Sequence, residues 1–290
     1  GPDLRRIPHR LTGQIHGDAV RRASVVDQGG GVGDAEVVRR RIDEADDARV
    51  GGDDAIGAGG QIGRLRIIEV VVEQAAGAMR DFAALHVRFE DEATRAREAG
   101  FVEPLGRESD MGIWMLQYGL DHHRDKLRDG FAEMAQLYID ERPALDEIWM
   151  RGPTTVLQGD GHIGNLFLDR GRVGFLDWGL IQLGTPMRDV GYFITMALSP
   201  ENRRAHERTL IEQYLEARIA VGGSPFTFEE AWMLHRVHAA YAAPAACPLV
   251  LFPEDEPMES RPASRHFLER AMCVIEDLDP RSALREFAGL

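Results

Sequence analysis

Before Met79 the chain contains no Phe, Tyr, Trp, Cys, Met, Asn or Lys. Aromatic side chains supply much of the area a core buries, so a segment without them has little from which to build one. Residues 1–72 are filled instead with Gly, Arg, Asp, Ala and Val. They are punctuated by Gly29-Gly30-Gly31-Val32-Gly33 and Gly51-Gly52-Asp53-Asp54. Ala23 to Val26 and Leu65 to Val72 are short apolar runs, the second a possible strand, and neither sustains a period. A weakly ordered segment is the expectation for residues 1–72.

The texture changes at Glu73. Ala75, Ala78, Met79, Phe82, Leu85, His86 and Phe89 follow one another at the three- and four-residue steps of an amphipathic helix facing a core. His86 lies on that stripe and is expected to be a core histidine bonded to backbone rather than a ligand. A second helix is expected over Asp125 to Asp140, aligning Leu127, Phe131, Met134 and Tyr138. Thr155–Leu157, Leu166–Leu168 and Val173–Leu176 read as short strands, with Asp169-Arg170-Gly171-Arg172 turning the last two into a hairpin. Helices are expected over 187–198, 201–221, 227–246 and 262–277. Thr227 and Glu230 form a capping box at the start of the third, and Pro244 and Pro248 end it.

Charge and cysteine content exclude some classes. The net charge of −14 over 290 residues argues against nucleic acid, whose recognition needs basic patches. No apolar run reaches the length of a membrane span. Gly1 to Arg6 lack the apolar stretch of a signal peptide, and Cys247 and Cys273 are not in a metal-type spacing. A reduced, cytoplasmic protein is expected.

The densest chemistry is the stretch LQGDGHIGNLFLDRGRVGFLDWG, residues 157–179. A hairpin of this length returns the chain on itself, so positions 165 and 177 can approach one another at its open end. Asn165 offers an amide oxygen and Asp177 a carboxylate. Magnesium prefers such oxygen donors and is usually held by one or two protein groups plus phosphates. Asp160, on a loop bracketed by Gly159 and Gly161, is placed to accept the proton of a hydroxyl attacking a bound phosphate. A base and two metal ligands, in that order, are parts that phosphoryl transfer requires. His162 is expected to buttress the loop through hydrogen bonds.

These residues resemble the aminoglycoside phosphotransferase and choline kinase-like superfamily, closest in texture to its bacterial ecdysteroid kinase-like branch. Members carry a His-Gly-Asp-x-His-x-Gly-Asn catalytic loop. Gln158-Gly159-Asp160-Gly161-His162-Ile163-Gly164-Asn165 is similar to it except that Gln158 stands in place of the first His. Asp177-Trp178-Gly179 resembles the family's metal-binding motif, and Gly184 to Val190 resembles its Gly-x-Pro-x-x-Asp-Leu segment. Ala83 to Phe89 is similar to its "LAALHARF" helix. The resemblance covers about residues 73–290.

It implies an α+β, protein-kinase-like fold, here mainly the helical C-lobe with its catalytic β-hairpin. It also implies Asp160 as catalytic base, Asn165 and Asp177 as Mg2+ ligands, and Asp189 as a structural support. ATP or GTP would be the co-substrate and a small molecule bearing a hydroxyl the acceptor.

A kinase of this fold also needs a Gly-rich loop and a strand lysine that pairs the nucleotide phosphates. The only lysine in the chain is Lys126. Arg39, after the glycines at 29–33, does not replace a compact ammonium, and no residue is assigned to the nucleotide. Residues 1–72 are therefore expected to be an absent, degenerate or poorly ordered N-lobe. Out-of-frame translation of GC-rich DNA would give such a composition.

Two other functions stand beside the kinase. One is a non-catalytic binding member of the same fold. The other is a metal-dependent phosphatase, which needs a second set of ligands including a downstream Asn-His pair that the chain lacks. Composition does not choose among aminoglycoside, sterol-like and sugar-alcohol acceptors. Glu254-Asp255-Glu256 could draw an amine-bearing one, and Trp232, His235 and His238 share a helix that faces either core or substrate.

Overall fold

The chain divides into two units, Gly1–Leu65 and Arg66–Leu290. The computed structural model describes residues 70–104, 110–246 and 262–290, all in the second. The expectations for residues 1–69, for Cys247, for Pro248 and for the acidic run at Glu254 lie outside the described residues.

Helix α1 (Val72–Arg88) opens on an extended Val71, whose N–H is taken by the Gln74 side chain at 3.2 Å. It buries Ala75, Ala78, Met79, Phe82, Ala83 and His86, most of the stripe read from the sequence; Leu85 sits at its edge. Of the run Leu65–Val72 read as a possible strand, Val70 and Val71 lie in no strand and Val72 is helical. Helix α2 (Glu92–Glu98) is capped by Asp91, which accepts from the Thr94 N–H at 2.8 Å. Helices α3 (Asp110–His122), α4 (Asp129–Asp140) and α5 (Arg142–Trp149) follow.

Four short strands come next, β1 (Thr155–Leu157), β2 (Leu166–Asp169), β3 (Arg172–Phe175) and β4 (Gln182–Gly184). Strands β2 and β3 form the antiparallel hairpin, in register from Leu166↔Phe175 to Asp169↔Arg172. Arg170 and Gly171 turn it with φ of 49° and 82°. Two positive φ values in a two-residue loop give the twist a tight hairpin needs. Strand β4 pairs antiparallel with β1, which sets the chain after the hairpin beside the chain before it.

The remainder is helical: α6 (Pro186–Ala197), α7 (Pro200–Ala220), α8 (Phe228–His238), α9 (Ala242–Ala246), α10 (Pro262–Leu278) and α11 (Pro280–Ala288). Pro186 and Pro200 occupy first-turn positions, where a missing N–H costs nothing. The capping box at the start of α8 is present, with Thr227 N–H on Glu230 at 2.9 Å and Glu230 N–H on Thr227 at 3.2 Å.

Apolar side chains gather in two large clusters. One joins α3, α4, α5, α8, α10 and α11 through Phe131, Tyr138, Trp149, Val237, Ile275 and Leu284. The other joins α1, α6, α7 and the hairpin through Met79, Phe82, Val173, Val190, Phe193 and Ile211. Trp232 packs against both. No helix among the described residues is long and apolar enough to cross a membrane.

Two helix expectations are corrected. The one placed at Asp125–Asp140 begins at Asp129, because Arg128 is extended (φ −68°, ψ 155°) behind a 3-10 turn at Arg124–Lys126. Its side chain reaches Glu276 at 2.9 Å and also pairs with Glu269. The helix placed at 227–246 is interrupted by a 3-10 turn at Ala239–Tyr241. Pro244 does not end it but sits in the first turn of α9, where the change of winding accommodates its ring.

Candidate active site

The site is built where β1 hands over to the loop Gln158–Asn165. Thr155, Val156 and Leu157 are all buried, so the strand pins the loop's entry in the core. Gly159 then takes φ 87°, and a Cβ there would stand 2.1 Å from the Leu180 carbonyl oxygen. Only glycine satisfies both conditions. The tight approach brings the loop after Asp177 against the loop before Asp160.

Beneath this loop lies Asp189, in the first turn of α6 and 2% exposed. Its carboxylate accepts the N–H of Gln158 at 2.6 Å and of Gly159 at 2.8 Å, and lies 3.4 Å from His86 Nε2. Charge-assisted bonds of this kind are about twice as strong as neutral ones. His86 is a core histidine, but its ring bonds are to side chains rather than backbone. Its Nδ1 shares a 2.8 Å hydrogen bond with the Tyr214 hydroxyl. Its carbonyl accepts from Thr155 Oγ1 at 2.7 Å, tying α1 to β1.

Asp160 is held at both ends of the residue. Its N–H donates to Gln158 Oε1 at 2.8 Å, and its carbonyl accepts from the His162 N–H at 2.8 Å. Asn165 Nδ2 donates to Asp160 Oδ2 at 2.8 Å and to the Asp160 carbonyl at 3.1 Å. That leaves the Asn165 amide oxygen outside these contacts. The Asp160 side chain retains 22% of its exposure, so one edge of the carboxylate faces out.

His162 Nδ1 accepts from the Gly164 N–H at 3.0 Å and caps the 3-10 turn Ile163–Asn165. Its Nε2 is 3.4 Å from Asp160 Oδ2, and its ring meets Phe267 edge-on at 4.9 Å.

Asp177 lies across the hairpin's open end. The Leu176 N–H donates to the Asn165 carbonyl at 2.8 Å, so the two metal-ligand candidates leave adjacent backbone positions. Asp177 is left-handed, φ 46°, and exposed; its Oδ1 accepts from the Gly179 N–H at 3.2 Å. Thus Asp160, Asn165 and Asp177 gather at one end of the hairpin, with His162 and Asp189 contacting the same loop.

Two neighbours were not read from the sequence as site residues. Tyr192, one helical turn beyond Asp189 on α6, is raised well above the ordinary tyrosine pKa, first by desolvation and then by the charge of Asp160. The spacing of three from Asp189 is the signal that could have found it. Gln158 was noted only as a departure from a motif. It is fully buried, and its Nε2 donates to the carbonyls of Leu176 at 3.0 Å and Asp177 at 3.1 Å.

The sequence model of the phosphotransferase enzyme family matches residues 57–225, more than half of the chain. The chain belongs to this family. The match spans the whole phosphotransferase hairpin, and it opens ahead of the change of texture at Glu73. No curated protein matches.

Among solved structures, the chain is similar to a choline/ethanolamine kinase family protein from Mesorhizobium loti (18% identity, 74% of this chain, 66% of the other, TM-score 0.45). It is also similar to an ethanolamine kinase from Plasmodium vivax (11%, 76% and 65%, 0.44) and to the choline kinase LicA from Streptococcus pneumoniae (11%, 71% and 64%, 0.39). The chain spans just under two thirds of the length of these structures.

The donor set suits magnesium. Among the described residues no group of three or more His, Cys, Asp or Glu is arranged to hold a metal. An ion at the hairpin would rely on the Asn165 amide oxygen and the Asp177 carboxylate, with phosphate and water completing its shell. Few protein ligands, all oxygen, is the pattern of a phosphate-bound Mg2+ and not of a soft-metal cage.

Proposed function

We propose that this phosphotransferase moves the terminal phosphoryl group of ATP or GTP, with Mg2+, to a hydroxyl of a small molecule. The observation supporting this most directly is the Asn165 amide clamped to Asp160 while Asp177 flanks it across the open end of the hairpin. Asp160 accepts the proton as the acceptor oxygen bonds to phosphorus and the bond to the leaving diphosphate breaks. Asn165 orients the Asp160 carboxylate, and Asp189 holds the loop's backbone from behind. Asp160 is steadied from the other side by His162, whose Nε2 lies 3.4 Å from its Oδ2. Asn165 and Asp177 would hold Mg2+, which would supply positive charge against the charge developing on the transferred group.

Assaying the protein with Mg·ATP and a panel of aminoglycosides, amino alcohols, macrolides and sugar alcohols tests the reading. Asp160→Asn should lower turnover by about 100-fold to 10,000-fold with its melting temperature little changed. Equal turnover in the variant would remove Asp160 as the base.

A second reading, a binding member without catalysis, is favoured by one observation. The sole lysine, Lys126, sits on the 3-10 turn before α4 with its ammonium 3.2 Å from His123 Nδ1, and no other lysine is available for the phosphates. A thermal shift with Mg·ATP that disappears in Asp177→Gly supports nucleotide binding. Binding with no turnover on any acceptor supports the second reading.

The division at residue 72 is likewise proposed, with residues 1–72 an out-of-frame or degraded segment and 73–290 the kinase-like lobe. Its test is the coding DNA: a glycine loop and a strand lysine in another frame support a frame change, and their absence from every frame overturns it.

A further inference from the structure

We infer that Gln158 is the positioning residue that sets the distance between the base loop and the metal loop; the inference rests on the phosphotransferase reading above. A single buried amide makes three hydrogen bonds in two directions. Its Oε1 takes the Asp160 N–H at 2.8 Å, and its Nε2 supplies the carbonyls of Leu176 and Asp177 at 3.0 and 3.1 Å. Oxygen towards an N–H and nitrogen towards two carbonyls is the one orientation of the amide that satisfies all three.

The two strands of the hairpin are joined by the ladder of β2 and β3 only as far as Leu166↔Phe175, with one further bond from Leu176 to Asn165. Beyond that point Asp177 departs into a left-handed turn. Among the described residues, it is this amide that bonds the Asp160 N–H on one side and the Leu176 and Asp177 carbonyls on the other. Asp189 fixes the backbone of Gln158 from the core side. Gln158 therefore relays the position of that buried carboxylate to both loops.

An imidazole, which the resembling loops carry here, has two ring nitrogens and makes at most two such bonds. A neutral amide makes three and does not ionise near neutral pH. The residue acts on Asp160 and Asp177 without reaching substrate.

The test uses Mn2+ as the probe of the metal site and amide hydrogen exchange as the probe of the loops, on the full chain. Gln158→Met keeps the volume and removes all three bonds. It should weaken Mn2+ binding by about 10- to 100-fold, the usual effect of losing a group that orients a metal ligand. It should also speed exchange of the Asp160 N–H. Gln158→His should fall between the two. Should Gln158→Met fail to fold, Gln158→His decides: Mn2+ affinity and Asp160 exchange both equal to those of the unchanged protein overturn the inference.

Mn2+ binding that is present in the unchanged protein and equal in Gln158→Met overturns the role of Gln158 and leaves the metal reading standing. Absence of Mn2+ binding from the unchanged protein overturns the metal reading instead. The exchange rate of Asp160 then judges Gln158 by itself, faster exchange in Gln158→Met supporting it and equal exchange overturning it.

Discussion

The two loops at the open end of the hairpin are built in opposite ways. The Gln158–Asn165 loop is anchored from below, its backbone N–H groups received by a buried carboxylate and its side chains bonded to one another. The Asp177–Leu180 turn lies on the surface, with Leu176, Trp178 and Leu180 exposed, and its local side-chain bonds are the Asp177 cap on the Gly179 N–H and the Trp178 indole N–H on the Phe175 carbonyl, both at 3.2 Å. The difference suits the proposed roles. A base works only within hydrogen-bond reach of its proton, whereas a carboxylate ligand is drawn into place by the ion it binds. Stability should therefore reside under the first loop and ligand response in the second.

Four measurements would break or sharpen that contrast. The largest effect is expected from Asp189→Ala, which strands two buried N–H groups and the His86 ring. For the two N–H groups alone, at about 1–3 kcal/mol each, urea unfolding should show a loss of roughly 2–6 kcal/mol. A loss under about 0.5 kcal/mol, the size of a neutral surface change, would mean the loop is not held from the core.

Gly159→Ala comes next. At φ 87°, with the Leu180 carbonyl in the way, it should cost about 1–3 kcal/mol. It should also weaken Mg·ATP response, since it pushes the two loops apart. Unchanged stability would show that the Leu180 segment gives way freely.

The third effect is a pH dependence of the buried layer behind α6. His238 packs tilted against the Trp149 ring at 5.1 Å, and its pKa is held well below 6.5, first by burial and then by the charges of Arg188 and His235. The folded state keeps this ring neutral while the unfolded chain takes up a proton below about pH 6.5. Its contribution is thus complete above that pH and is lost as the pH falls towards the depressed folded value. Glu207 adds to the decline lower down. Burial raises its pKa, but His235 and Arg203 outweigh that and bring it below 4.5, so its stabilisation is lost as the pH falls beneath that value. The fall in Tm from about pH 7 to about pH 5 should be smaller in His238→Phe. An equal fall in the two proteins would place the proton uptake elsewhere.

The smallest change in stability, within about 0.5 kcal/mol, is expected for Asp177→Gly, because glycine accepts φ 46° without strain. The same variant should abolish the Mg·ATP thermal shift. A large destabilisation with the shift intact would reverse the contrast between the loops.

Much of this site was legible from the chain because it is local. The separation of Asp160 from Asn165 and the turn at Arg170-Gly171 are short-range facts, fixed by hairpin geometry and by glycines at tight positions. Helix α1 was legible through its stripe, and the start of α8 through Thr227 and Glu230. Helix α3 was not read, since Gly112 and Gly119 interrupt its apolar spacing of Ile113, Leu116 and Leu120. Strand β4 was missed because three residues carry no period; it exists because β1 offers an edge to pair with.

The sequence by itself determined which groups are present at the hairpin and in what order: Asp160, His162, Asn165 and Asp177, with glycines where the backbone must turn. It also set the family and left the chain with a single lysine. The tertiary structure decided what holds those groups in place. Asp189 reaches back to Gln158 and Gly159 from about thirty residues ahead, separations of 31 and 30, and His86 arrives at the same carboxylate from 103 residues away. Gln158 closes one loop on the other through carbonyls 18 and 19 residues distant. Hydrogen bonds of a few ångströms between such distant positions leave no periodic trace in the chain, because they depend on how helices and strands pack and not on the spacing along any one of them.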